Sequence, residues 1–388
     1  MDGGDGRVTA LVLHQIRSEL QRRGYNGDFL SEVNMFSGAS AGGINSLLLA
    51  DQAKPDDLVD KLPALWSELD DTLLPIPSST EIKQILELGP IAPFVLAATI
   101  ASRAVSAGLA LLGLQSLFSN QALRGILEKQ FGERKLEELK HAVAVVAFQL
   151  DNESPNPALR AWQAQVFTNL PRSNDGKELC LDVALRTSAQ PVELPVFQST
   201  AGIGSGYIDG GYVANNPMMV SICRLIDEVR ELRATAAAGG EGSVAPPKVL
   251  MLSVGAGVRS FFPFGANYFP SSILHAVNGS APWGYGLWAL NPLQPLMIAN
   301  LYLQASSGEI TQQAKSLLGV SNVFRLGDRV PNARTDSTPQ LMAKLFSDAG
   351  NDDVSKAVDW ILASGWIAHT ETSHSFEAGE KPESLIPY

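Results

Sequence analysis

Gly38-Ala39-Ser40-Ala41-Gly42 sets a serine among small residues in the spacing G-x-S-x-G. Small neighbours such as Gly38 and Gly42 permit a strained strand-to-helix turn that thrusts a hydroxyl into a cleft, the geometry of a nucleophile elbow. Such a hydroxyl needs a base before it attacks a carbonyl, and histidine is the usual one. His14 lies in a helical pattern, His141 just before an apolar run and His275 in a segment of mixed polarity, while His369 and His374 fall in a polar tail. None stands in a recognisable triad context. Asp209 is the other candidate, within Gly206-Tyr207-Ile208-Asp209-Gly210-Gly211. Gly210 and Gly211 let the backbone approach a second loop closely, although an ordinary Asp-Gly turn reads the same way. A third segment, Asp2-Gly3-Gly4-Asp5-Gly6-Arg7, stands directly before a helical pattern. Backbone N–H groups at a helix N-terminus stabilise a developing oxyanion, and an unordered terminus is the competing reading.

These residues are useful only if regular elements hold them. Val8, Val12, Ile16 and Leu20, with Leu11 and Leu13 beside them, have helical spacing, and Gly24 supplies a stop. Residues 32–36 read as a short strand entering the serine turn, and residues 44–50 as the helix after it. Residues 56–130 are mostly helical in pattern, broken by Pro75, Pro77, Gly89 and Pro90, and read as a helical cap insertion. Residues 142–150 form a nearly continuous apolar run of β-branched character, as in a strand buried on both faces of a parallel sheet. Further strands are expected at residues 165–168, 181–185, 248–254 and 323–326. Asn216-Pro217 opens a helix as N-cap and first helical position, and residues 234–247, rich in Ala and Gly, read as a loop. Strands alternating with helices predict an α/β sandwich with its ligand site at the carboxyl ends of the strands.

Composition narrows the chemistry. The 388 residues carry 29 basic and 40 acidic side chains, a net charge of −11, and no basic run, which opposes a nucleic-acid partner. Hydrophobic residues make up 45% and charged residues 18%, below the roughly 25% usual for soluble domains, so more of the surface than usual is apolar or neutral. Cys180 and Cys223 form no disulfide framework and no metal-ligand spacing. The first residues lack the apolar core of a signal peptide. The apolar tract 91–118 is interrupted by Pro93 and Arg103, and its uncharged part, about 15 residues, is short of the roughly 20 that span a bilayer. A cytoplasmic setting is the expectation.

Taken together and in order, the loop at residues 2–7, the G-x-S-x-G turn and Asp209-Gly210-Gly211 resemble the patatin-like phospholipase family, with its D-G-G-G-x-R-G, G-x-S-x-G and D-G-G or D-G-A motifs. Leu65-Trp66, residues 147–150, residues 186–191 and residues 252–257 add to the likeness, which covers about residues 2–330. The resemblance implies a three-layer α/β sandwich with a mainly parallel central sheet and a helical cap at 56–130. It implies a lipid acyl hydrolase domain at 1–330, with 331–388 an extension of that domain. Ser40 would be the nucleophile and Asp209 its sole side-chain partner. Gly3, Gly4 and Arg7 would form the oxyanion hole, Gly38 and Gly42 the elbow, and Gly210 and Gly211 the aspartate loop.

The implied chemistry is phospholipase A or lysophospholipase type, with no metal and no cofactor. A phospholipid or other lipid ester would be the substrate, with peripheral membrane contact and an open oligomeric state. The apolar tract 91–118 and the aromatic segment 281–303 are candidates for an acyl channel or interfacial surface, or for packing on the sheet. Asp5 stands where the family has glycine, and its carboxylate would oppose a nearby oxyanion. The family's first strand would precede Met1. Both departures favour an alternative, a catalytically impaired patatin-fold protein that binds lipid or a partner. A nucleotide-binding loop at residues 38–43 would require G-x-G-x-x-G or a following lysine, and neither is present.

Overall fold

The structure, a computed structural model, describes residues 1, 6–73, 119–191, 193–238, 248–255, 297–326 and 352–367. The chain divides into two compact units, one of residues 35–213 and one joining residues 1–34 to 214–388. The sequence boundary expected at 330 lies outside the described residues, as do the tract 91–118 and residues 281–296.

In chain order the elements are α1 (Gly6–Arg22), β1 (Met35–Ala39), α2 (Ala41–Ala50), α3 (Asp56–Val59), α4 (Leu62–Leu73) and α5 (Gln121–Phe131). There follow β2 (Ala142–Gln149), β3 (Gln163–Thr168), α6 (Cys180–Thr187), β4 (Tyr207–Ile208) and α7 (Gly211–Ala214). The rest are α8 (Met218–Ala238), β5 (Met251–Val254), α9 (Met297–Leu318), β6 (Val323–Leu326) and α10 (Asp352–Ser364).

The unit of residues 35–213 is organised on β2, whose Ala-Val-Ala-Val-Val-Ala run is buried throughout. A run with no polar position has no face to give to water and must be covered on both. β1 runs parallel to it with Ala39 opposite Val146, and β3 runs antiparallel with Ala144 opposite Thr168. β4 is also antiparallel, with Phe148 opposite Ile208. Because β3 occupies one edge of β2 over this whole stretch, β1 and β4 share the other. They meet head to head there, β1 ending opposite Val146 and β4 opposite Phe148. Helices α2 and α6 pack on β2 and on each other, and every residue of both is buried.

In the other unit, α1 buries Val8, Leu11, Val12, Ile16 and Leu20 and ends before Gly24, whose φ of 90° a β-carbon would disfavour. Helix α10 packs on it through Val354, Ala357, Val358 and Ile361, the i, i+3, i+4, i+7 stripe of an amphipathic helix. Met218 and Ile222 of α8, Ala314 of α9 and Val323 of β6 form one core cluster beside the parallel pair β5–β6.

Several expectations require correction. Residues 181–185 form a helix within α6, not a strand. The segment Leu181-Asp182-Val183-Ala184-Leu185 is too short for its period to be read, and burial of the helix on all sides makes its mostly apolar composition look like that of an interior strand. The described sheet is mixed, since β3 and β4 oppose β2. The strand before Ser40 starts at Met35 rather than at residue 32, and the strand expected at 248–254 begins at Met251. Residues 234–238 continue α8 instead of forming a loop, and residues 297–303 belong to α9. The described parts of 56–130 are mainly helical.

Candidate active site

Ser40 sits between β1 and α2 with φ 53° and ψ −131°, a conformation costly for a residue with a β-carbon. Its carbonyl accepts from the N–H groups of Gly43 and Ile44 at 2.9 and 3.1 Å, so helix α2 starts at once. The turn is tight enough to exclude other side chains nearby. A β-carbon on Gly38 would lie 2.1 Å from the Gly42 carbonyl oxygen, and one on Gly43 would lie 2.9 Å from both Thr187 Cγ2 and Val145 Cγ1.

Asp209 follows β4 and arrives at the same edge of β2 from the opposite direction. Its carboxylate, 2% exposed, accepts from Ser40 Oγ on Oδ2 at 2.5 Å and from the Gly211 N–H on Oδ1 at 2.7 Å. Its own N–H donates to the Ala189 carbonyl at 3.0 Å. Gly210 lies against β2 so closely that a β-carbon there would be 1.9 Å from the Val146 carbonyl oxygen. The 169 positions between serine and aspartate are bridged by the shared edge of one strand.

Residue Thr187, at the end of α6, touches all of these parts. Its Oγ1 accepts from the Ser40 N–H at 2.8 Å and donates to the Val146 carbonyl at 2.5 Å, while its own carbonyl accepts from the Gly210 N–H at 2.9 Å. Sequence reasoning noted residues 186–191 as familiar but assigned Thr187 no part. The available signal was a small hydroxyl residue closing a helix buried along its whole length. Tyr212, one turn past the aspartate, has its phenol pushed up to about 12 by burial and then by the Asp209 charge, so it stays protonated at neutral pH.

Of the other predicted residues, Gly3 and Gly4 lie outside the described residues, and Arg7 is buried in the first turn of α1 in the other unit. His14 is in α1. His141 stands at the amino end of β2, edge on to Phe36 with 5.5 Å between ring centroids, whereas Ser40 follows the carboxyl end of the parallel strand β1. His275, His369 and His374 lie outside the described residues. Among the described residues no group of three His, Cys, Asp or Glu side chains is placed to hold a metal ion. No described helix is long and apolar enough to cross a membrane.

A hydroxyl hydrogen-bonded to a buried carboxylate, on a strained turn at a helix start, is an arrangement suited to nucleophilic attack and proton transfer. Among known proteins, the family model described as patatin-like phospholipase matches residues 3–222. Protein teg of Priestia megaterium is 26% identical over 369 residues, which are 93% of this chain and 96% of teg. The crystal structure of VipD from Legionella pneumophila aligns over 92% of this chain at 14% identity with a TM-score of 0.37; the chain spans 65% of VipD's length.

Proposed function

The chain belongs to the patatin-like phospholipase family, and from that premise we propose that it is a lipid acyl hydrolase acting through Ser40 and Asp209. Family membership implies a lipid-ester substrate. The observation that carries the finer reading is the 2.5 Å hydrogen bond from Ser40 Oγ to Asp209 Oδ2. In this reading Ser40 Oγ bonds to the acyl carbonyl carbon as its proton passes to Asp209. The tetrahedral adduct then expels the alcohol, which leaves with that proton. Water attacks the acyl-enzyme, gives a proton to Asp209, and the fatty acid departs as the proton returns to Ser40. The family reading assigns stabilisation of the oxyanion to the backbone amides of Gly3 and Gly4 and to Arg7. A three-layer, patatin-type arrangement over 1–330, with 56–130 as the cap and 331–388 as an extension, belongs to the same proposal. So does peripheral contact with a lipid surface.

Ser40→Ala and Asp209→Ala are each expected to reduce fatty-acid release from phosphatidylcholine by at least about 1,000-fold, with circular dichroism unchanged. A fluorophosphonate probe should label wild type at Ser40 and leave Ser40→Ala unlabelled. Hydrolysis retained in either variant contradicts the dyad. Lipid binding without labelling or hydrolysis in wild type would favour the impaired-enzyme alternative that Asp5 suggests.

A further inference from the structure

Three chain segments converge on one peptide carbonyl, that of Val146 in β2. Gly210 crosses it so closely that a β-carbon there would be 1.9 Å from the oxygen. β1 ends beside it, since Ala39 is the register partner of Val146. Thr187 Oγ1 donates its proton to it at 2.5 Å. That donation decides the polarity of the remaining contact. A hydroxyl has one proton, so with it committed to Val146 the oxygen faces Ser40 as an acceptor, and the Ser40 N–H fills that role at 2.8 Å. The backbone of Thr187 completes the link, because its carbonyl takes the N–H of Gly210, next to Asp209.

We propose that Thr187 is a positioning residue that holds the nucleophile turn and the aspartate loop in reacting register, its side chain fixing Ser40 and its main chain fixing Gly210. The proposal rests on the hydrolase reading above. Ser40 occupies a backbone conformation that surrounding contacts must enforce. The Ser40 N–H and O are the handles available to do so, and the carbonyl is already held by α2. Thr187 holds the other. It is fully buried and meets no solvent, so its role is to place Ser40 Oγ against Asp209 rather than to touch substrate. A consequence is that the Ser40 N–H is spoken for and is not an oxyanion donor. Displacing a reacting atom by about 1 Å can cost roughly 100-fold in rate.

The test uses the full chain with phosphatidylcholine vesicles and a fluorophosphonate, comparing Thr187→Val, Thr187→Ala, Thr187→Ser and wild type. Thr187→Val keeps the shape and removes the oxygen, and its kcat and labelling rate should fall about 30- to 100-fold with KM within about twofold. Thr187→Ser restores the oxygen and should return kcat to within about threefold of wild type. Near-wild-type kcat in Thr187→Val overturns the proposal, as does an equal loss in Thr187→Ser. Should Thr187→Val not fold, Thr187→Ala takes its place in the comparison. Failure of both to fold would make Thr187 a core residue only and equally overturn it. A wild-type chain that neither releases fatty acid nor takes up the probe sinks the hydrolase reading itself. Wild-type turnover with an indifferent Thr187→Val sinks only the inference.

Discussion

A residue placed for chemistry at the expense of stability is recognised by what happens when the strain is removed. Ser40 carries a β-carbon at φ 53°, ψ −131°, a region open to glycine and costing other residues on the order of 1–3 kcal/mol. Ser40→Gly and Ser40→Ala both delete the hydroxyl and its bond to Asp209, so that loss cancels between them. What remains is the backbone cost, less the added freedom of glycine in the unfolded chain. Ser40→Gly is therefore expected to be more stable than Ser40→Ala by about 1 kcal/mol in urea unfolding, with both inactive. Equal stabilities would mean that the turn stores no strain. Gly38 and Gly210 show the complementary constraint, where lack of a side chain permits backbones to touch.

At the scale of elements, helix α6 ties the site to the sheet, and its hold at the far side depends on Arg186. That guanidinium donates to Glu178 and to the Gln198 carbonyl, each at 2.8 Å, and lies 5.2 and 4.7 Å from the ring centroids of Phe167 and Tyr207. Lysine cannot reproduce a planar fork that both stacks and bonds in two directions. Arg186→Lys should lower stability by about 2 kcal/mol, read from the urea midpoint at constant m-value. Helix α6 is also where sequence reading failed. Period-based reading worked for α1, a 17-residue helix long enough for the spacing Val8, Val12, Ile16 and Leu20 to repeat, and for β2, where seven consecutive apolar residues leave little else. It failed over residues 181–185 because an interior helix and an interior strand present the same composition. The serine turn and the aspartate loop were legible from small residues at fixed spacing. Their meeting was legible only through the family resemblance, because it depends on β1 and β4 pairing with the same edge of β2, a tertiary choice with no local signature. Thr187 was missed for the same reason: its partners lie 147 and 41 positions away.

Over the whole chain, the two ends serve one unit. Residues 331–388 carry no recognisable motif, yet α10 buries its apolar stripe against α1, and Trp366 Nε1 donates to the Phe29 carbonyl at 2.7 Å. The polar part of this contact is an ion-pair chain that acid should dismantle. Glu19 accepts from Arg22 at 2.6 Å and from Arg23 at 2.8 Å, and these two guanidinium partners hold its carboxyl down to about 2. Arg23 in turn reaches α10, bonding Asp359 and, at 2.5 Å, Ser355 Oγ. A carboxyl whose folded value lies below its unfolded value near 4.3 contributes stability that is complete above about 4.3 and fades as pH falls through about 2. Glu19 faces solvent in part, so the pair is worth about 1 kcal/mol or less. Glu19→Gln should therefore be less stable than wild type by that amount at pH 7. The gap should close progressively between about pH 4.5 and pH 2 in paired urea titrations, which cancel the other carboxylates common to both chains. A gap that stays constant across this window would show that Glu19 acts through packing rather than charge, leaving the polar link between the two segments to Arg23 and Trp366.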